Sequence, residues 1–159
     1  MLMDTFGPFI LLPIICMVIY YILKKQTDFT KKKKALLILF AVCFFISEAG
    51  RSFYRPYIYE NGFFDLYIAD TLGSSFGTLT AIFFILLMQG RDRIFDMAYI
   101  AGVTIIIMVY EFARLPGNEV FDPKDLYATL IVSALAALVY YFIFLKRTWV
   151  EKVKEEEDN

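Results

Sequence analysis

The chain of 159 residues contains no histidine and only two cysteines. Without histidine, the commonest metal ligand and the usual general base at neutral pH are both missing. Cys16 and Cys43 lie inside apolar runs with no Cys-x-x-Cys spacing. They read as small buried hydrophobes, not as a disulfide or metal framework. No Gly-x-Ser-x-Gly motif occurs, and Ser47, Ser74 and Ser75 have no histidine to activate them. Nucleophilic catalysis is therefore poorly supported. A charge excess of either sign is also lacking, since the formal net charge is −1. No cofactor, no metal and no nucleic-acid partner is expected.

Apolar residues are abundant instead, at 59% of the chain, with 17 Phe and 11 Tyr. A soluble domain this small cannot hide so much apolar surface. The surplus comes in blocks, as expected when lipid is the solvent. The fold class expected is all-α: a polytopic integral membrane protein with one transmembrane domain over 1–145. Its five spans fall at about 6–23, 35–54, 64–88, 95–115 and 125–145, and a charged cytoplasmic tail covers 146–159. The first run is too long for a signal-peptide core and has no basic residue before it, so it reads as a retained helix. Pro8 fits its first turn, and Pro13 should kink it. The second run has only about a dozen apolar residues before Ser47 and Glu48. A span needs roughly 20 residues, so this helix is expected to continue to about Tyr54 and stop before Pro56. Residues 55–64 then form an interfacial connection carrying Tyr57, Tyr59, Phe63 and Phe64. The third run carries a small and polar stripe of Asp70, Gly73, Ser74, Gly77 and Thr78, whose Gly-x-x-x-Gly spacing permits close helix approach. Thr129, Ser133, Ala136, Ala137 and Tyr140 form a similar stripe in the fifth.

Lysine and arginine sort by loop. With the N-terminus outside, 12 of the 16 basic residues fall inside: Lys24, Lys25, Lys31 to Lys34, Arg91, Arg93 and four after Leu145. The positive-inside rule favours that orientation, with the C-terminus in the cytoplasm and the chain multi-pass in the cell membrane. Two clusters then share the outer side. One contains Glu48, Arg51, Arg55, Asp65 and Asp70. The other contains Glu111, Arg114, Asp122 and Asp125. Helices two and three, then four and five, read as a parallel internal repeat of one hairpin. An ionisable residue within a span costs roughly 2.5–3.5 kcal/mol on insertion scales. Arg51, Arg55 and Arg114 suit anions such as lipid phosphates or carboxylates. Glu48, Asp70, Glu111, Asp122 and Asp125 complete the candidate ligand-binding set. The structural alternative makes Glu48–Arg51 and Glu111–Arg114 ion pairs at helix ends, with Asp65 and Asp125 as caps.

At these residues the chain resembles the VanZ-like family of small polytopic membrane proteins. The family pattern places an acid and a glutamine three later at a helix end, then a loop with aspartates, then Asp-x-x-x-Asn-x-x-Gly at the next helix start. The second repeat matches in Glu111, Pro116-Gly117 and Phe121-Asp122-Pro123-Lys124-Asp125-Leu126, and departs at Arg114 and Thr129. The first matches in Glu48 and Asp70-x-x-Gly73-x-x-x-Gly77, with aspartate where the family has asparagine. The family takes its name from a protein linked to resistance against a glycopeptide antibiotic that acts on the cell wall. The resemblance implies a place in the cell envelope, with a lipid or lipid-linked partner on the outer leaflet.

Three functions are consistent with these residues. The first is a polar outer-leaflet pocket binding an anionic lipid or lipid-linked cell-wall precursor. The second is a membrane enzyme using paired carboxylates on a lipid-linked substrate. The third is a structural or accessory subunit with no site of its own. The orientation is tested by reporter fusions at Asn61, Asn118 and Asn159. The first two are expected to report outside and the last inside; a cytoplasmic signal at Asn61 would reverse the assignment.

Overall fold

The computed structural model describes residues 2–25, 30–90, 94–113 and 123–145. These residues are helical almost throughout: α1 (Leu2–Lys25), α2 (Lys31–Ala49), α3 (Arg55–Asn61), α4 (Ile68–Gln89), α5 (Asp96–Ala113) and α6 (Pro123–Tyr140). A π-helical turn, Gly50–Tyr54, joins α2 to α3 without a break, and a second, Tyr141–Leu145, extends α6. Among the described residues, five helices are long and apolar enough to cross a membrane, the α2–α3 unit counting as one. The fold is all-α. The charged tail 146–159, the Arg91–Arg93 turn and the connection before Pro123 lie outside the described residues.

The second helix does not stop before Pro56. It runs to Asn61 and ends at Gly62, whose φ of 65° is left-handed and whose N–H bonds to the Ile58 carbonyl. Proline lacks an N–H, and its ring strikes the carbonyl four residues back. The π turn directly upstream changes that register: the Arg55 N–H reaches the carbonyl of Gly50, five residues back. A widened turn of this kind lets proline enter a continuing helix. Tyr57 and Tyr59 are therefore helical, not part of a loop.

The next helix starts at Ile68, later than about Phe64 as the sequence suggests. Leu66 and Tyr67 hold φ of 57° and 65°. Two successive left-handed residues with side chains are disfavoured and cannot continue a right-handed helix. Asp65 caps the new helix, its Oδ2 accepting from the Ala69 N–H at 2.6 Å.

Helix α4 is the centre of the bundle, packed against α2, α5 and α6, while α1 packs on α2. Ile82, Leu86 and Leu87 of α4 are fully buried and meet Leu23, Leu36, Phe40, Ile100 and Tyr140 in one core. Neighbours α2 and α4 run antiparallel, as the Phe40–Phe84 ring contact (5.7 Å) and the Ser47–Gly73 contact both require. Parallel packing joins α4 and α6: Ser74 meets Asp125 and, one turn on, Thr78 meets Thr129. Large apolar side chains such as Met17, Ile38, Ile106 and Ile131 cover the outside. Cys43 is buried in the core and Cys16 packs against it. Helix α1 passes through both Pro8 and Pro13.

At the end of the bundle where α5 begins, Tyr140 donates a hydrogen bond of 2.6 Å to Oδ2 of Asp96. Both residues are buried. Removing one partner of a buried carboxylate leaves part of its desolvation uncompensated. Tyr140→Phe is expected to lower stability by about 1–3 kcal/mol, read by thermal unfolding in detergent. An unchanged transition would show that the bond contributes nothing.

Candidate functional site

At the opposite end of the bundle, five elements line a cavity of about 320 Å³. The π turn and α3 supply Arg51 and Arg55; α4 supplies Ala69, Asp70, Gly73 and Ser74. Tyr110 and Glu111 come from the end of α5, and Asp125 from the first turn of α6. Five candidate residues separated by up to 74 positions thus share one lining: Arg51, Arg55, Asp70, Glu111 and Asp125. Glu48 sits one turn before Arg51 and pairs with it. Arg114 and Asp122 lie outside the described residues.

Local packing explains how the arginines reach the cavity. Gly73 lies under the stem of Arg51: a Cβ there would stand 3.2 Å from Arg51 Cγ. Helices α2 and α4 therefore approach closely enough for the Ser47 hydroxyl to donate to the Gly73 carbonyl at 3.2 Å. The small-residue stripe of α4 divides between two neighbours. Gly73 and Gly77 lie toward α2, whereas Ser74 and Thr78 bond toward α6.

The charged contacts are loose. Arg51 Nη1 stands 3.6 Å from Glu48 Oε1, and Arg55 Nη2 stands 3.8 Å from Asp70 Oδ1. Both distances exceed hydrogen-bond length. The Arg51 side chain is 66% exposed and that of Glu48 17%. Tyr59 links the second pair: Arg55 Nε donates to its hydroxyl at 3.3 Å, and that hydroxyl donates to Asp70. Asp125, a helix cap on the structural alternative, sits in the first turn of α6. Its Oδ1 accepts from the Ser74 hydroxyl of α4 at 2.7 Å. Asp65, in contrast, is a cap.

Sequence reasoning passed over Tyr59 and Ser74 as site residues. Each carried a signal: Tyr59 lies four residues after Arg55, and Ser74 four after Asp70, the helical spacing that places side chains side by side. Among the described residues, no three acids or cysteines come together in a group able to hold a metal ion. A second cavity, about 580 Å³ and almost wholly apolar, lies on the other side of the α2–α4 seam. Phe45, Ile46, Phe53 and Leu72 are among its lining residues.

No family model, no curated protein and no solved structure matches the chain.

The Ser74–Asp125 bond ties α4 to α6 beside the cavity. A hydrogen bond to a charged group contributes about 1.5–3 kcal/mol. Ser74→Ala is expected to lose stability in that range by detergent unfolding. Asp125→Asn keeps an acceptor for Ser74 and should lose less than half as much. Equal losses would mean that the charge, not the bond, joins the helices.

Proposed function

We propose that this chain is a multi-pass membrane protein of the cell envelope whose outer-leaflet pocket binds the phosphate-bearing head group of a lipid or lipid-linked precursor. The observation that carries the reading is where Arg51 and Arg55 stand along their helix. Lys31–Asn61 is a continuous helix of 31 residues, a length of roughly 46 Å. Arg51 stands twenty residues beyond Lys31, a rise of roughly 30 Å, and a hydrocarbon core is about 30 Å thick. With the lysines at the cytoplasmic face, both guanidiniums arrive at the depth of the opposite phosphates.

The chemistry agrees with that depth. Guanidinium presents a planar fork of donors that matches phosphate oxygens, and the carboxylates beside Arg51 and Arg55 leave most donors available. A volume of about 320 Å³ is near the lower end for ligand sites and suits a head group, not a whole lipid. The apolar cavity across the seam supplies adjoining surface for a hydrocarbon chain. Exposed Tyr57, Tyr59, Phe63, Phe64 and Tyr67 form an aromatic belt at the same end, the composition of a membrane interface. The VanZ-like resemblance points to the same leaflet. The parallel packing of α4 on α6 supports the reading of two repeated hairpins.

Arg51→Gln combined with Arg55→Gln tests this function. Native mass spectrometry of the wild-type chain, purified with lipid, is expected to show retained phospholipid, and the double variant should lose it. Undiminished retention by a folded double variant would overturn the assignment.

A further inference from the structure

The cavity is not simply cationic. Its arginines both come from the π turn and α3, on one wall. The acids Glu111 and Asp125 come from α5 and α6, on the other, with Asp70 of α4 between them. Asp70 already has Arg55 and Tyr59 as partners. Asp125 is differently placed. It is half-buried, and among the described residues its hydrogen bond comes from the neutral Ser74 hydroxyl. Among the described residues, no lysine or arginine lies within ion-pair distance of it, although it lies within electrostatic reach of Arg55. A carboxylate at the edge of an apolar phase is costly to keep charged unless a cation or strong donor meets it. A wholly anionic ligand would bring a second negative charge toward Asp125 and Glu111.

Resting on the phosphate-binding function above, we infer that the head group carries an ammonium beside its phosphate. The phosphate meets Arg51 and Arg55, and the ammonium meets Asp125 across the cavity. The class is a phosphate monoester or diester of a short amino alcohol, as in an aminophospholipid. Opposed walls of opposite charge orient such a zwitterion in a single direction and discriminate against anions that lack the amine.

The full-length chain is reconstituted with equimolar phosphatidylethanolamine, phosphatidylglycerol and phosphatidic acid of matched acyl chains, and retained lipid is counted by native mass spectrometry. The wild type is expected to retain phosphatidylethanolamine over phosphatidylglycerol by about tenfold, the yield of one charge-assisted contact. Asp125→Asn should remove or reverse that preference while total retained lipid persists. Glu111→Gln serves as the second variant. Should either variant fail to fold, the wild-type preference alone decides. Soluble O-phosphoethanolamine identifies the source: displacement of lipid at millimolar concentration shows that the head group suffices, and binding of the lipid form alone ties the site to the membrane. Either result supports the inference. Equal or greater retention of phosphatidylglycerol by the wild type would overturn it, yet leave the phosphate-binding function standing if the arginine variant still loses lipid. Absence of any retained phospholipid on the wild type would remove both.

Discussion

The pocket depends on how closely the π turn of the second helix approaches α4. At that seam Gly50 lies against Leu72, so tightly that a Cβ on Gly50 would fall 2.0 Å from Leu72 Cδ2. Beside it, Gly73 leaves room for the stem of Arg51. In lipid, helices gain little from the hydrophobic effect and hold together by close packing and hydrogen bonds. Glycines on both sides of the seam supply the packing, and the Ser47–Gly73 bond adds a polar fastening. Once the seam closes, it separates two surfaces. Arg51 and Gly73 line the polar cavity, while their chain neighbours Gly50 and Leu72 line the apolar one.

Much of this arrangement was legible in the sequence. Long apolar runs announced five helices, because about 20 apolar residues in a helix match the thickness of a hydrocarbon core. The distribution of lysine separated the two ends of the bundle, and alternation of helix direction brought Glu48, Arg51, Asp70, Glu111 and Asp125 to the same one. Gly73 and Gly77 announced a close approach. The sequence did not say which neighbour each side of that stripe would meet, since the choice between α2 and α6 depends on global packing. Pro56 misled for a local reason. A proline strains a helix by striking the carbonyl four residues back, and the π turn at Gly50–Tyr54, which changes that register, escapes any pattern of apolar spacing. Leu66 and Tyr67 were equally hidden, because residues with bulky side chains give no warning of a left-handed backbone.

The two aspartates that looked alike as helix caps separate on geometry. Asp65 accepts from a backbone N–H of its own helix start, which satisfies an orphan donor and is a local, structural task. Asp125 reaches across to a serine on another helix. That bond fixes the register of α4 against α6 and turns a carboxylate toward the cavity. A cap needs only an acceptor, and asparagine or serine would serve as well. The charge of Asp125 therefore calls for a different explanation from that of Asp65.

The same distinction runs through the whole cluster. The contacts that fasten the helices are hydroxyl contacts: Ser47 to Gly73, Ser74 to Asp125 and Thr78 to Thr129. The ion pairs stand farther apart, at 3.6 and 3.8 Å, with Arg51 largely exposed. Exposed pairs of that kind contribute about 0–1 kcal/mol, less than the cost of carrying a charge into a span. If assembly were their only task, a neutral pair would do it at lower cost. On the proposed function, guanidiniums held this loosely keep donors for a phosphate.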